Sequence, residues 1–145
     1  MRQIPLFLVG FGHVGQRFVQ LLDESRPALV RLGVDPIVVG VATRRHGLQF
    51  NEAGLDPFQT TRAAVADDRR TAPASPAAEY TARLRSLKAE TRVLVETTTL
   101  DVRSGEPAIG HVRAGLAGGA HVISANKGPA AFAYDALTAQ ANAAT

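Results

Sequence analysis

The chain has 145 residues, 46% of them hydrophobic and 20% charged, which fits one globular domain with a sizeable core, not a disordered segment. It holds no cysteine, which excludes disulfides and thiolate metal sites and agrees with a cytoplasmic location. Its net charge of +3 comes from scattered arginines, with no basic block or interleaved aromatics, so nucleic acid is not an expected partner.

No apolar run reaches bilayer-spanning length. Met1-Arg2-Gln3 leads straight into an apolar run, leaving no room for a signal peptide, so no membrane partner is expected. Ile4 to Val9 reads as a central parallel strand buried on both faces, with Pro5 at its start, where a missing N–H costs least. Gly10-Phe11-Gly12-His13-Val14-Gly15 follows, and Val14, Phe18, Leu21 and Leu22 then recur at helical spacing. Pro27 interrupts that helix, and Leu29 to Leu32 predicts one further turn before Gly33. Ile37 to Ala42 is a second buried strand.

Leu48 to Pro76 is weakly periodic and rich in Gly and Pro, with a charge cluster at Asp67 to Arg70. It reads as surface loop, with some helix within Ala63 to Asp68. Ala77 to Lys88 predicts a helix capped by Ser75-Pro76, with Tyr80, Leu84 and Leu87 on one side. Val93 to Glu96 is a short strand, Glu106 to Leu116 a helix closed by Gly118-Gly119, Ala120 to Ser124 a strand, and Ala131 to Ala141 a last helix. Strand and helix alternate throughout, which implies one α/β domain over residues 1–145: a doubly wound, Rossmann-type, mostly parallel sheet with helices on both faces.

Ligands of such sheets bind beyond the carboxyl ends of the strands, here Gly10 to Gly15, Thr43 to Gly47, Thr97 to Leu100 and Ala125 to Pro129. A strand, a G-x-G-x-x-G turn and a helix in succession are the setting of a dinucleotide diphosphate site, which selects Gly10, Phe11, Gly12, His13, Val14 and Gly15. The second strand ends in Thr43-Arg44-Arg45, with no acidic residue to accept from a ribose 2′-OH; Asp35 precedes the strand, at the wrong end of the sheet. Arginine suits a phosphate monoester, so NADP is favoured over NAD, the alternative being a solvated basic loop. His13 stands near the phosphates, whereas His46, His111 and His121 share no metal-ligand spacing and read as surface or helix-flanking residues. Lys127 follows a buried strand at the same sheet end. Shielded from water there, its ammonium would be disfavoured and suited to proton transfer.

Val95-Glu96-Thr97-Thr98-Thr99, Gly105-Glu106-Pro107-Ala108 and Gly119-Ala120-His121-Val122-Ile123-Ser124-Ala125-Asn126-Lys127-Gly128-Pro129 resemble the homoserine dehydrogenase family. The resemblance leaves only Leu48 to Ala78 unmatched. It implies NAD(P)-dependent interconversion of homoserine and aspartate 4-semialdehyde, towards threonine and methionine. By resemblance, Thr97 and Thr98 would border the nicotinamide, Asn126 would order the pocket, and Lys127 would contact cofactor and substrate and assist proton transfer. Glu96 stands where the family more often has aspartate. Family enzymes also continue into a part that supplies substrate-binding carboxylates, a second lysine and the interface of a homo-oligomer. The chain ends at Thr145 and is expected to be the cofactor domain alone, inactive by itself, with apolar surface exposed on its last helix. The competing readings are a non-catalytic nucleotide sensor, which has no need of Lys127, and a dehydrogenase for another amino or keto acid.

Overall fold

The computed structural model describes residues 1–66 and 77–144, of which 63–66 by backbone alone. Its elements are β1 (Arg2–Val9), α1 (His13–Glu24), α2 (Arg26–Arg31), β2 (Val34–Thr43), β3 (Gly47–Phe50), α3 (Pro57–Ala66), α4 (Ala77–Ser86), β4 (Val93–Glu96), α5 (Ala108–Ala117), β5 (His121–Ser124) and α6 (Gly128–Ala143). The expected Ser75-Pro76 cap and the Asp67–Arg70 cluster lie outside the described residues.

The five strands form one sheet in the order β3-β2-β1-β4-β5. β1, β2, β4 and β5 are parallel, and β3 returns antiparallel on β2. The expected alternation is therefore broken where β3 directly follows β2 and where, among the described residues, helices follow one another, at α1–α2 and α3–α4. Gly47-Leu48-Gln49-Phe50 is a strand, not loop, because a tight turn at 44–46 folds it straight back onto β2. Residues 57–66, read as mostly loop, form α3 from Pro57 onward; the Asp56 carboxylate accepts from the N–H groups of Phe58 (2.9 Å) and Gln59 (3.3 Å) and caps its start. Pro5 lies mid-strand, but β4 pairs with β1 only from Leu6 opposite Val93, so Pro5 precedes that pairing. Asp35 is the second residue of β2 and binds Arg26 at 3.1 Å, at the amino end of the sheet.

Side chains alternate across β1, so the sheet carries a core on each face. Phe7 and Val9 pack with Val39, Ala42, Tyr80, Leu84, Leu87, Leu94 and Ala114 beneath α4 and α5. Leu6 and Leu8 pack with Val38, Val41, Val95 and Val19 beneath α1, joined by Phe18, Leu22 and Phe58. The stripe of α1 that meets the sheet is Gly15, Phe18, Val19 and Leu22, while Val14 and Leu21 of the expected stripe are exposed. Gly15 decides this rotation: a Cβ there would stand 2.9 Å from the Gly10 carbonyl oxygen, so the helix seats its glycine, not Val14, against the end of β1. On α6, kinked at Ala133, Phe132 and Tyr134 are exposed as expected, and Leu137 is buried. No helix among the described residues is long and apolar enough to cross a membrane.

Candidate functional site

β1 delivers the chain into the glycine turn with Gly10 at φ +91°, a conformation L side chains rarely adopt. A Cβ there would also lie 2.8 Å from the Thr97 carbonyl carbon, so the first glycine lets β1 and β4 continue side by side into their loops. Gly12, the N-cap of α1, has no side chain to cap the helix, and a Cβ on it would meet nothing within 4 Å. The Gln16 N–H donates to the Gly12 carbonyl at 2.9 Å. The amides of His13, Val14 and Gly15 precede that bond and have no partner within the helix. A positive helix end with free donors and open space at its glycine is a ready anion cradle. Phe11 is buried, edge-on to Phe58 with ring centroids 5.1 Å apart, and anchors the turn; His13 and Val14 are exposed.

Thr97 ties the first loop to the third. Its N–H donates to the Val9 carbonyl at 2.8 Å and its hydroxyl to the Gly10 carbonyl at 3.0 Å. The next link runs from Asn126 Nδ2 to the Thr98 carbonyl at 3.1 Å. Asn126 Oδ1 accepts from the Gly128 N–H at 2.9 Å, which shapes the entry to α6. Gly10, Thr97, Thr98, Asn126 and Lys127 thus stand along one edge of the sheet, over a span of two strand spacings, about 10 Å.

Lys127 differs from its expected state. It is exposed at the N-cap of α6, not shielded, because it is the last residue before the helix and its side chain leaves the sheet surface. It has no hydrogen bond or ion pair from its side chain among the described residues.

At the end of β2, Thr43 is half-buried and Arg44 and Arg45 are exposed in the turn to β3, with no ion pairs among the described residues. The Thr43 hydroxyl accepts from the His46 N–H at 2.9 Å and meets His46 Nδ1 at 3.0 Å. His46 is therefore a half-buried part of the turn, not the surface residue expected.

His111 is also misplaced by the sequence reading: it is half-buried, with its Nδ1 3.6 Å from Glu96 Oε1 and its ring 5.7 Å from that of Tyr80. Glu96 is fully buried. Its Oε1 accepts from the Thr98 N–H at 2.9 Å and from the Thr98 hydroxyl, and its Oε2 accepts from the Ser124 hydroxyl at 3.1 Å. Ser124 Oγ in turn accepts from the Asn126 N–H at 3.2 Å. Burial pushes the Glu96 carboxyl up, but the nearby His111 and the donors of Thr98 and Ser124 outweigh it and hold the group below the ordinary carboxylate value. The His111 contact is too long for a hydrogen bond and acts by charge attraction when the ring is protonated. Sequence reasoning noted Glu96 only as a departure from a pattern. The available signal was a carboxylate closing the apolar run Val93-Leu94-Val95, since a charge buried there needs partners.

No family model matches the chain. It is 27% identical over 142 residues to a homoserine dehydrogenase of Methanocaldococcus jannaschii, covering 95% of this chain and 41% of that protein. It is 30% identical over 140 residues to an NAD(+)-dependent homoserine dehydrogenase of Pseudomonas canavaninivorans, covering 91% of this chain and 38% of that protein. The crystal structure of a homoserine dehydrogenase from Thermoplasma acidophilum superposes with a TM-score of 0.69 at 23% identity, covering 99% of this chain and 41% of that one. The chain thus spans about two-fifths of the length of the relatives it matches. By sequence the chain is similar to homoserine dehydrogenases, and its fold is that of a part of a homoserine dehydrogenase of solved structure.

Proposed function

We propose that this chain is the nicotinamide-dinucleotide-binding domain of a homoserine dehydrogenase. One observation carries the reading: the glycine turn presents free α1 amides and an open Gly12 at the same sheet edge as Thr97, Thr98, Asn126 and Lys127. The residues suit the cofactor. The amides of His13 to Gly15 would hold the diphosphate, with Gly10 and Phe11 fixing the turn, and Thr97 and Thr98 would border the nicotinamide. Arg44 and Arg45, beside Thr43, are available to a ribose 2′-phosphate, and no carboxylate stands in that turn to oppose one, which supports NADP over NAD. Bound nicotinamide supplies hydride chemistry, between its own ring and the carbon shared by homoserine and aspartate 4-semialdehyde.

Lys127 would hold an ammonium at the substrate oxygen and move its proton. Its exposure keeps the side chain accessible to a substrate. Since the chain spans about two-fifths of its relatives, the 145 residues by themselves bind cofactor, and turnover of homoserine belongs to a protein with the remaining part, assembled as a homo-oligomer. The test is an equilibrium titration of the purified chain with NADPH and with NADH. Saturable binding, tighter for NADPH, is expected; absence of binding to either overturns the reading, and a preference for NADH overturns the assignment of Arg44 and Arg45.

A further inference from the structure

We infer that Glu96 is a positioning residue that sets the affinity of the site for the nicotinamide half of the cofactor. The inference rests on the cofactor reading above. Both carboxylate oxygens are occupied inside the protein and the side chain is fully buried, so Glu96 touches neither substrate nor cofactor. Its partners are what matter. Oε1 fixes both the backbone and the hydroxyl of Thr98, and Oε2 fixes Ser124, whose oxygen receives the Asn126 N–H. Asn126 then closes the ring through the Thr98 carbonyl. One buried charge thereby ties the loop after β4 to the loop after β5.

The glycine turn is held by different bonds, from Thr97 to Val9 and Gly10 and from Gly10 to Ala42. In sheets of this winding the adenosine ribose lies towards the end of β2 and the diphosphate at β1, which leaves β4 and β5, on the other side of β1, to the nicotinamide. The Glu96 network should therefore act on one half of the dinucleotide and leave the other unaffected. The charged and titratable groups that face the carboxylate from α5 and α4 are His111, 3.6 Å away, and Tyr80 behind it.

The test compares NADPH with 2′-phospho-ADP-ribose, which keeps the diphosphate and adenosine but lacks nicotinamide, on the wild-type chain and on Glu96→Gln. Glutamine keeps the shape but offers one acceptor oxygen in place of two, so Thr98 and Ser124 lose their shared charged anchor. Loss of charge-assisted hydrogen bonds is expected to weaken NADPH about tenfold, with 2′-phospho-ADP-ribose changed less than about twofold. Ser124→Ala, at an exposed position on an edge strand, keeps the test open should Glu96→Gln fail to fold. It is expected to shift the ratio of the two affinities in the same direction by about threefold. An unchanged ratio in both variants, or equal weakening of both ligands, overturns the inference. A wild-type chain that binds 2′-phospho-ADP-ribose but gains nothing from nicotinamide overturns it too and leaves the diphosphate site standing. A wild-type chain that binds neither ligand overturns the cofactor reading itself.

Discussion

Alanine at Gly12 separates the fold of the glycine turn from its use. Gly12 lies at φ −81° and ψ −159°, extended backbone open to any residue, and a Cβ there meets no atom within 4 Å. Replacing glycine at a compatible position gains about 0.4–1 kcal/mol by restricting the unfolded chain. Alanine is the poorer N-cap by a comparable amount, about 0.5–1 kcal/mol. The two offset, so the melting temperature should stay within about 4 °C of wild type. A diphosphate drawn against Gly12, however, would meet the new methyl and be pushed off the α1 amides. Losing two charge-assisted hydrogen bonds at about 1.5 kcal/mol each removes roughly 3 kcal/mol, or about a hundredfold in affinity. Gly15→Ala is the contrasting control. Its Cβ would sit 2.9 Å from the Gly10 carbonyl oxygen and 3.1 Å from Thr97 Oγ1, inside a packed contact, and overpacking of that kind costs about 1–3 kcal/mol. Thermal melts and NADPH fluorescence titrations of both variants are the assays. A Gly12→Ala protein that melts like wild type and binds NADPH as tightly refutes the placement of the diphosphate.

Arg44→Ala should weaken NADPH about tenfold and leave NADH unchanged, because only the 2′-phosphate meets the guanidinium; the paired titrations read this directly. Leu84→Ala empties a fully buried position between α4, the sheet and α5 and should cost about 2–5 kcal/mol in urea unfolding. The Glu96 carboxyl is held below its unfolded value, so its contribution is fully present above the ordinary carboxylate pKa of about 4.3 and is lost as pH falls through the folded value. Urea unfolding at a series of pH values should show wild type losing its advantage over Glu96→Gln below that point; a constant difference down to acid pH would contradict the depressed carboxyl.

Three of the four parallel strands were legible because Ile4–Val9, Ile37–Ala42 and Val93–Val95 are apolar runs of the kind a sheet buried on both faces requires. The glycine turn and the loops after β4 and β5 followed from them, since strand ends define where ligands gather. β3 was hidden by its length: four residues of an antiparallel edge carry too little periodicity to register. α3 was hidden behind Gly54 and Pro57, although Asp56-Pro57 is itself a cap followed by a permitted first residue. The Glu96 network joins residues 15 and 28 positions apart, a separation at which no local pattern speaks. Lys127 was assigned the right edge of the sheet but the wrong environment, because one residue separates the buried Asn126 from the buried Gly128 and its side chain points outward.

The most direct measurement is amide chemical-shift mapping of the ¹⁵N-labelled chain during titration with NADPH. The expected shifts run from Phe11 to Gln16 and extend to Thr97, Thr98 and Asn126. Shifts absent from the α1 amides, or gathered instead in the groove between α1 and α3 beside Leu22, Ile37 and Phe58, would contradict a diphosphate seated on the glycine turn.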